Sequence, residues 1–72
     1  MVSYSPDGKR IATASSDETA IIWDVLTGER LHILAHTDWV FCANFSPDGK
    51  WLVTSSDNIA TIWDAGTGLK VR

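Results

Sequence analysis

The sequence has a single cysteine among its 72 residues, and its longest apolar run is the five residues 39–43. One cysteine excludes an internal disulfide and is typical of proteins in a reducing compartment, which predicts a cytoplasmic location. A run of five apolar residues is far shorter than the roughly 20 that a transmembrane helix needs. The sequence therefore predicts neither a disulfide framework nor a membrane-spanning segment.

Clustered basic charge is also missing. The six Lys and Arg residues are scattered and are outnumbered by nine Asp and Glu, so the net charge is −3. Binding to nucleic acid or to an anionic membrane surface would need a basic patch, so neither partner is expected. A hydrophobic share of 44% with 21% charged residues is typical of a globular chain, although 72 residues can bury only a small core.

Two segments of the sequence occur twice, in the same order. The motif SPDGK occupies residues 5–9 and again 46–50, an offset of 41, while SSDETAIIWDVLTG at 15–28 returns as SSDNIATIWDAGTG at 55–68, an offset of 40. Self-similarity at a period of about forty residues indicates a repeat architecture. The two offsets differ by one because IATASSD in the first copy has become LVTSSD in the second, which indicates a deletion.

Each copy predicts short antiparallel strands joined by turns, and no helix. Ser-Pro-Asp-Gly favours a type I turn, since proline fixes φ at the second position and glycine accepts a positive φ. In the second copy Phe41, Ala43 and Phe45 alternate with Cys42 and Asn44, which predicts a half-buried strand. WLVT and IATIW follow as further strands, and the first copy adds RLHIL after its RIATA and TAIIW. The prediction is an all-β fold with four strands per repeat.

These motifs resemble the WD-repeat family of β-propellers. The resemblance is carried by Trp23-Asp24 and Trp63-Asp64, by SPDGK and SSD ahead of them, and by His36 before the next first strand. It covers nearly the whole chain, in two copies. The resemblance implies propeller blades of four antiparallel strands arranged radially. It also implies a non-catalytic platform for protein assemblies rather than an enzyme.

The two copies begin and end at different points of the repeat. We assign residues 1–34 to a first blade with a truncated first strand, and residues 35–72 to a second blade with a truncated last strand. Propellers have about four to eight blades, and terminal repeats expose an apolar face unless something covers it. We therefore expect a partial propeller that is either a fragment of a longer chain, completed by that chain's remaining blades, or a subunit that forms a ring by self-association.

In the resembled family a hydrogen-bond relay joins four side chains within a blade. A Trp indole N–H donates to a Ser or Thr hydroxyl, which reaches a His, whose other nitrogen meets an Asp in the turn that follows. In the second repeat the matching residues are Trp63, Thr54, His36 and Asp57. In the first repeat they are Trp23, Thr13 and Asp17, and no histidine precedes them in this sequence. Loss of one partner would leave buried polar groups unsatisfied, at about 1–3 kcal/mol each.

The sequence departs from the family pattern at two points. Ala35 precedes His36 where the family favours glycine, which puts the backbone of that loop in doubt. The deletion also makes the hydroxyl member ambiguous. Counting forward from SPDG selects Thr54, whereas counting back from Asp57 selects Val53. Since valine has no hydroxyl to join a relay, Thr54 is the prediction.

The same residue types allow a catalytic interpretation. His36 would be the base and Asp57 the carboxylate, with Thr54 or Cys42 as nucleophile. No nucleophile elbow or glycine-rich oxyanion turn accompanies them. His32, His36 and Cys42 could be considered as metal ligands, but a strand followed by a loop does not place them on one face. We expect no catalytic, cofactor or metal site, and a hydrolase using His36 stays as a remote alternative.

The loops on one rim of the predicted blades are candidates for binding a partner. The candidate residues are Thr37, Asp38, Trp39, Ser16, Glu18, Ser56 and Asn58. Acidic side chains predominate there and aromatic residues often anchor interfaces, so a basic peptide or protein surface is the expected partner. The alternative is that this acidity only keeps the loops solvated. The predicted function is a protein-interaction scaffold, with structural accessory blades of a larger enzyme or signalling protein as the alternative.

Overall fold

The computed structural model describes residues 2–56 and 59–71, which form seven antiparallel strands in two sheets. The first sheet has the order β1-β2-β3-β4 and the second β5-β6-β7. The strands are β1 (Val2–Tyr4), β2 (Arg10–Ala14), β3 (Thr19–Asp24), β4 (Arg30–Ala35), β5 (Cys42–Phe45), β6 (Trp51–Ser56) and β7 (Ile59–Asp64). The described residues contain no helix, so the all-β prediction is confirmed and no helix among them could cross a membrane.

The two sheets differ at their last strand. In the first sheet β4 extends to Ala35, which pairs with Thr19, one residue beyond the predicted limit of the first blade. In the second sheet the chain after β7 returns only as an isolated bridge between Trp63 and Lys70. The Val71 amide also donates to the Ile62 carbonyl at 2.7 Å. The second sheet therefore has three strands and the beginning of a fourth.

Each SPDG turn is closed by its own aspartate. The Asp7 carboxylate accepts the Ser5 hydroxyl at 2.6 Å and the Lys9 amide at 2.9 Å, and Ser46 donates to Asp48 in the same way at 2.6 Å. The Ser5 hydroxyl holds the pKa of Asp7 below its ordinary value, and the Ser46 hydroxyl does the same for Asp48. Hydrogen bonds to the charged form stabilise it, so these turns are tightest when the carboxylates are ionised.

The core lies between the two sheets, and we call the sheet faces that meet there the inner faces. The buried side chains of the first sheet's inner face are Ala12, Ala20, Ile22 and Leu34. Those of the second sheet's inner face are Ala43, Leu52, Thr54, Thr61 and Trp63. β5 lies against β1 and β2. Full burial of a Leu or Ile side chain contributes about 1.5–3 kcal/mol, so this small interface holds the two sheets together.

The turn that follows β7 is tied to the first sheet by two polar side chains. The Arg10 guanidinium donates to the Ala65 carbonyl at 3.0 Å, and His32 Nε2 lies 3.1 Å from the Gly66 carbonyl. Gly68 has φ +75°, and a Cβ on it would lie 2.6 Å from His32 Nδ1. Glycine is therefore required there both by backbone conformation and by the space that His32 occupies.

Candidate functional site: the buried histidine and the loop rim

The loop from His36 to Phe41 connects the two sheets, and backbone hydrogen bonds hold it in place. The His36 amide donates to the Glu18 carbonyl at 2.8 Å, and the Val40 amide donates to the Ser15 carbonyl at 3.2 Å. The loop therefore lies beside the turn between β2 and β3. We call these two segments, residues 36–41 and 15–18, the loop rim.

His36 reaches from the loop rim into the space between the sheets. Its Nε2 lies 2.8 Å from the Thr54 hydroxyl, and that hydroxyl also accepts the Trp63 indole N–H at 2.9 Å. Its Nδ1 lies 2.9 Å from the Leu34 carbonyl. Because a carbonyl only accepts, Nδ1 carries the proton, and Nε2 accepts the Thr54 hydroxyl hydrogen. The imidazole also packs against the Trp63 indole, with ring centroids 5.3 Å apart.

The structure brings Thr54, and not Val53, to the histidine. Thr54 is fully buried on the inner face, whereas the Val53 side chain points to the opposite face of the strand and is 37% exposed. Successive strand residues alternate between the two faces of a sheet. A one-residue shift that placed Val53 beside His36 would therefore turn every side chain of β6 to the opposite face. Asp57, the predicted fourth member, lies outside the described residues, as does Asn58 of the predicted rim.

The Leu34 carbonyl is a partner of His36 that sequence reasoning missed. Every residue carries a backbone carbonyl, so no residue type in the sequence could have indicated it. This bond fixes the tautomer and the orientation of the ring, in the way that second partners usually orient a functional histidine.

The first repeat reproduces half of this arrangement. The Trp23 indole donates to the Thr13 hydroxyl at 2.9 Å, the distance found between Trp63 and Thr54. Asp17 does not join that pair, because its carboxylate accepts the hydroxyl and the amide of Thr19 within its own turn. The Thr19 hydroxyl is the main reason that the pKa of Asp17 lies below its ordinary value.

The relay residues are placed for structural hydrogen bonding. The Thr54 hydroxyl is 0% exposed and has a partner on each side, so it has no open approach for a substrate. Cys42 pairs with Ser55 and lies on the face of the sheet opposite Thr54. In the part of the chain that the structure describes, no buried side-chain nitrogen or oxygen lacks a partner, and no cluster of His, Cys, Asp and Glu could hold a metal ion.

The loop rim presents two exposed aromatic side chains. Trp39 and Phe41 are each 57% exposed, with ring centroids 6.5 Å apart in an edge-on arrangement, and we call them the aromatic pair. Sequence reasoning placed the Phe41 side chain on the half-buried face of a strand, which is wrong because that side chain is exposed. The Phe41 amide still donates to the Ser55 carbonyl, but β5 itself begins at Cys42. The Asp38 carboxylate accepts the Trp39 amide at 2.7 Å and fixes the backbone beneath the pair.

The other predicted rim residues differ in accessibility. Ser16, Glu18 and Thr37 are exposed on the loop rim. Ser56 was expected in a turn, but it pairs with Ile59 as the last residue of β6 and is only 7% exposed. Ser56 therefore offers little surface to a partner.

Comparison with known proteins identifies the repeats. The family model "WD domain, G-beta repeat" matches residues 1–24 and 28–64. The chain is 43% identical over 70 residues to WD repeat-containing protein 1 of Gallus gallus, covering 90% of this chain and 12% of that protein. It is 35% identical over 63 residues to small ribosomal subunit protein RACK1 of Drosophila melanogaster, covering 88% of this chain and 20% of that protein.

A third relative extends the match along the chain. WD repeat-containing protein WDS homolog of Arabidopsis thaliana is 41% identical over 73 aligned residues, covering 94% of this chain and 14% of that protein. The chain thus spans a fifth or less of the length of these relatives. With its repeated tryptophan–hydroxyl pairs and its two antiparallel sheets, this chain belongs to the WD-repeat family.

Proposed function

We propose that the chain is a non-catalytic protein-interaction scaffold that binds a protein or peptide partner through its loop rim. The observation that carries this proposal is the aromatic pair, Trp39 and Phe41, each 57% exposed. Aromatic side chains bring a large apolar area to an interface at a small cost in conformational entropy, and they are enriched among binding hot spots.

The charge around the aromatic pair favours a basic partner. Asp38, Asp17 and Glu18 all lie on the loop rim. A Lys or Arg side chain can stack on an aromatic face and also neutralise a neighbouring carboxylate. The proposed partner is therefore a peptide or protein surface with a cationic side chain near its centre.

The names of the relatives are consistent with a role in assemblies, since one of them is named as a ribosomal subunit protein. An intracellular site of action is part of the proposal, and it rests on the single cysteine. Further blades or further copies of the chain are the second class of proposed partner. The alternative function is that of structural accessory blades within a larger enzyme or signalling protein, in which the loop rim would bind no partner.

Fluorescence titration with peptides matched in length tests the rim directly. We expect lysine- and arginine-containing peptides to bind the wild-type chain, and glutamate-containing peptides of the same length not to bind. Trp39→Ala should weaken binding at least tenfold, read by anisotropy of a labelled peptide. Leu26→Ala is the control, because Leu26 is 93% exposed in the turn at the opposite end of β3. Equal affinity of the Trp39→Ala variant and the wild type would refute the rim proposal.

A further inference from the structure

We propose that a groove at the end of the first sheet opposite the loop rim binds an acidic peptide that carries a large apolar side chain. The groove lies between the β1–β2 turn and the β3–β4 turn, and we call it the turn groove. It is lined by Gly8, Lys9, Asp24, Val25 and Leu26. This second binding site shares no residue with the loop rim and does not rest on it.

The β3–β4 turn has an equivalent in the second repeat, with the same hydrogen bonds. The Asp24 carboxylate accepts the amides two and three residues further on at 2.9 and 3.0 Å, and the Asp64 carboxylate accepts the equivalent amides at 2.9 and 3.0 Å. The glycines that close the two turns, Gly28 and Gly68, both have φ +75°. The two turns therefore share one backbone arrangement.

The two turns differ in the two side chains that follow the aspartate. The first turn carries Val25 and Leu26, which we call the apolar pair, and the second carries Ala65 and Gly66. Since Ala-Gly forms the same turn, the larger side chains are not needed to make it. They do not belong to the core either, because Val25 is 43% exposed and Leu26 is 93% exposed. The apolar pair is therefore available to a partner.

The Leu26 side chain points away from any sheet that lies against its turn. Its counterpart Gly66 adjoins the first sheet, since His32 Nε2 is 3.1 Å from the Gly66 carbonyl. Beyond its chain neighbours, a Cβ at Gly66 would nevertheless meet only the Asp64 carboxylate within 4 Å, and no atom of the first sheet. A side chain at this turn position therefore remains open to a partner even where a sheet is packed beside the turn.

Basic and acidic side chains are distributed unequally between the two ends of the sheets. The loop rim carries Asp17, Glu18 and Asp38, and no Lys or Arg. The Lys and Arg residues that the structure describes all lie in or next to the turns at the other end: Lys9, Arg10, Arg30, Lys50 and Lys70. The loop rim therefore repels an acidic peptide, which finds positive charge only at the end that holds the turn groove.

Lys9 supplies a positive charge at the turn groove. Its backbone carbonyl accepts the Val25 amide at 3.0 Å, so the residue lies directly beside the apolar pair. Among the described residues the Lys9 ammonium makes no hydrogen bond, whereas the Asp7 and Asp24 carboxylates are held by hydrogen bonds within their own turns. The surface fits a peptide in which a large apolar side chain contacts the apolar pair and a neighbouring carboxylate pairs with Lys9.

Fluorescence anisotropy of labelled peptides tests the turn groove on the whole chain. One peptide places a phenylalanine between glutamates, and a second replaces that phenylalanine with alanine. The wild type should bind the phenylalanine peptide with a Kd of roughly 100 µM, as is reasonable for a small exposed surface. It should not bind the alanine peptide, because glutamates without a large apolar side chain leave the apolar pair uncovered.

The second repeat supplies a variant that keeps the turn. Val25→Ala combined with Leu26→Gly gives the first turn the sequence Asp-Ala-Gly-Thr-Gly, which forms the same hydrogen bonds in the second repeat. This double variant should bind the phenylalanine peptide roughly tenfold more weakly. Lys9→Glu should weaken binding about threefold, since exposed ion pairs contribute little.

Lys50→Glu is the matched control for charge. The Lys50 carbonyl accepts the Ala65 amide at 2.9 Å, as the Lys9 carbonyl accepts the Val25 amide, but the turn beside Lys50 carries no apolar pair. Lys50→Glu should therefore leave the affinity for the phenylalanine peptide unchanged. Equal weakening by Lys9→Glu and Lys50→Glu would overturn the turn groove as the site.

Two further measurements separate this proposal from misfolding and from binding at the loop rim. Circular dichroism checks that the double variant keeps its strand content, and Trp39→Ala should bind the phenylalanine peptide like the wild type. Absence of binding to the wild type, wild-type affinity in the folded double variant, or a loss in Trp39→Ala would each refute the turn groove. None of these results bears on the loop-rim proposal, which is read from lysine- and arginine-containing peptides.

Discussion

The Nε2 atom of His36 lies 2.8 Å from the hydroxyl oxygen of Thr54, at a point where the loop rim meets the core. The hydroxyl donates to the imidazole and accepts the Trp63 indole N–H, so one buried oxygen links the loop to two strands. The histidine therefore anchors the loop that displays the aromatic pair. The same Thr54 oxygen therefore stabilises the core and holds the loop rim in position.

Thr54→Val should destabilise the chain by about 2 kcal/mol, because both the His36 imidazole and the Trp63 indole lose their shared partner. Urea unfolding followed by tryptophan fluorescence measures the loss. Thr13→Val is the matched control, since among the described residues the Thr13 hydroxyl bonds the Trp23 indole and no imidazole, and Thr13 is only partly buried. The control should cost less, at about 1 kcal/mol. Equal losses in the two variants would contradict a special role for the His36 bond.

The strands were predictable from the sequence because alternation and turn residues are local signals. The predicted strand RIATA has the same bounds as β2, and β4 is one residue longer than the predicted strand RLHIL. Phe41 was misplaced because its amide donates to the carbonyl of Ser55, the residue that Cys42 also faces. Two residues thus oppose one, and the alternation of side chains breaks between Phe41 and Cys42. Ser56 was misplaced for the opposite reason, since β6 continues into the polar residues that resemble a turn.

The candidate site was predictable in part. The side chains of Thr54, Trp63 and His36 could be selected because the resemblance supplies a spacing for them. The Leu34 carbonyl and the contact of His32 with Gly66 could not be selected, because both depend on how the chain crosses from one sheet to the other. Every residue has a backbone carbonyl, so the residue type does not indicate which carbonyl a side chain will contact.

Gly68→Ala should destabilise the chain more than Gly8→Ala. Both glycines have a positive φ, +75° and +72°, so each substitution costs about 1 kcal/mol in backbone strain. A Cβ at Gly68 would also lie 2.6 Å from His32 Nδ1, whereas a Cβ at Gly8 meets open space. Thermal unfolding should therefore give a lower midpoint for Gly68→Ala. If the midpoints coincide, His32 does not occupy the space assigned to it.

Acid should destabilise the fold through its turn aspartates. Hydrogen bonds from Ser5 and Ser46 lower the pKa of Asp7 and Asp48, and backbone amides of Thr67 and Gly66 lower that of Asp64. A pKa that is lower in the folded state contributes stability above the unfolded value, and that stability is lost as the pH falls through the folded value. The unfolding midpoint should thus fall steadily below about pH 4.

The control for this acid effect removes the titrating groups. A double variant, Asp7→Asn with Asp48→Asn, should start from a lower midpoint at neutral pH and show a shallower fall in acid. The two profiles should converge at low pH, where the wild-type carboxylates are protonated. Parallel profiles over the whole range would assign the acid sensitivity to other groups.

Enlarging the side chain at two equivalent alanines, one in each repeat, should change the free energy of unfolding by different amounts. Ala20 is 0% exposed between the sheets, and Ala60, its counterpart at an offset of 40, is exposed. Ala20→Val forces extra volume into a packed core and should cost about 1–3 kcal/mol in the free energy of unfolding. Ala60→Val should change the stability of the monomer by less than about 0.5 kcal/mol, as is usual for surface positions. Urea unfolding measures both, and a large loss for Ala60→Val would contradict the exposed position of Ala60.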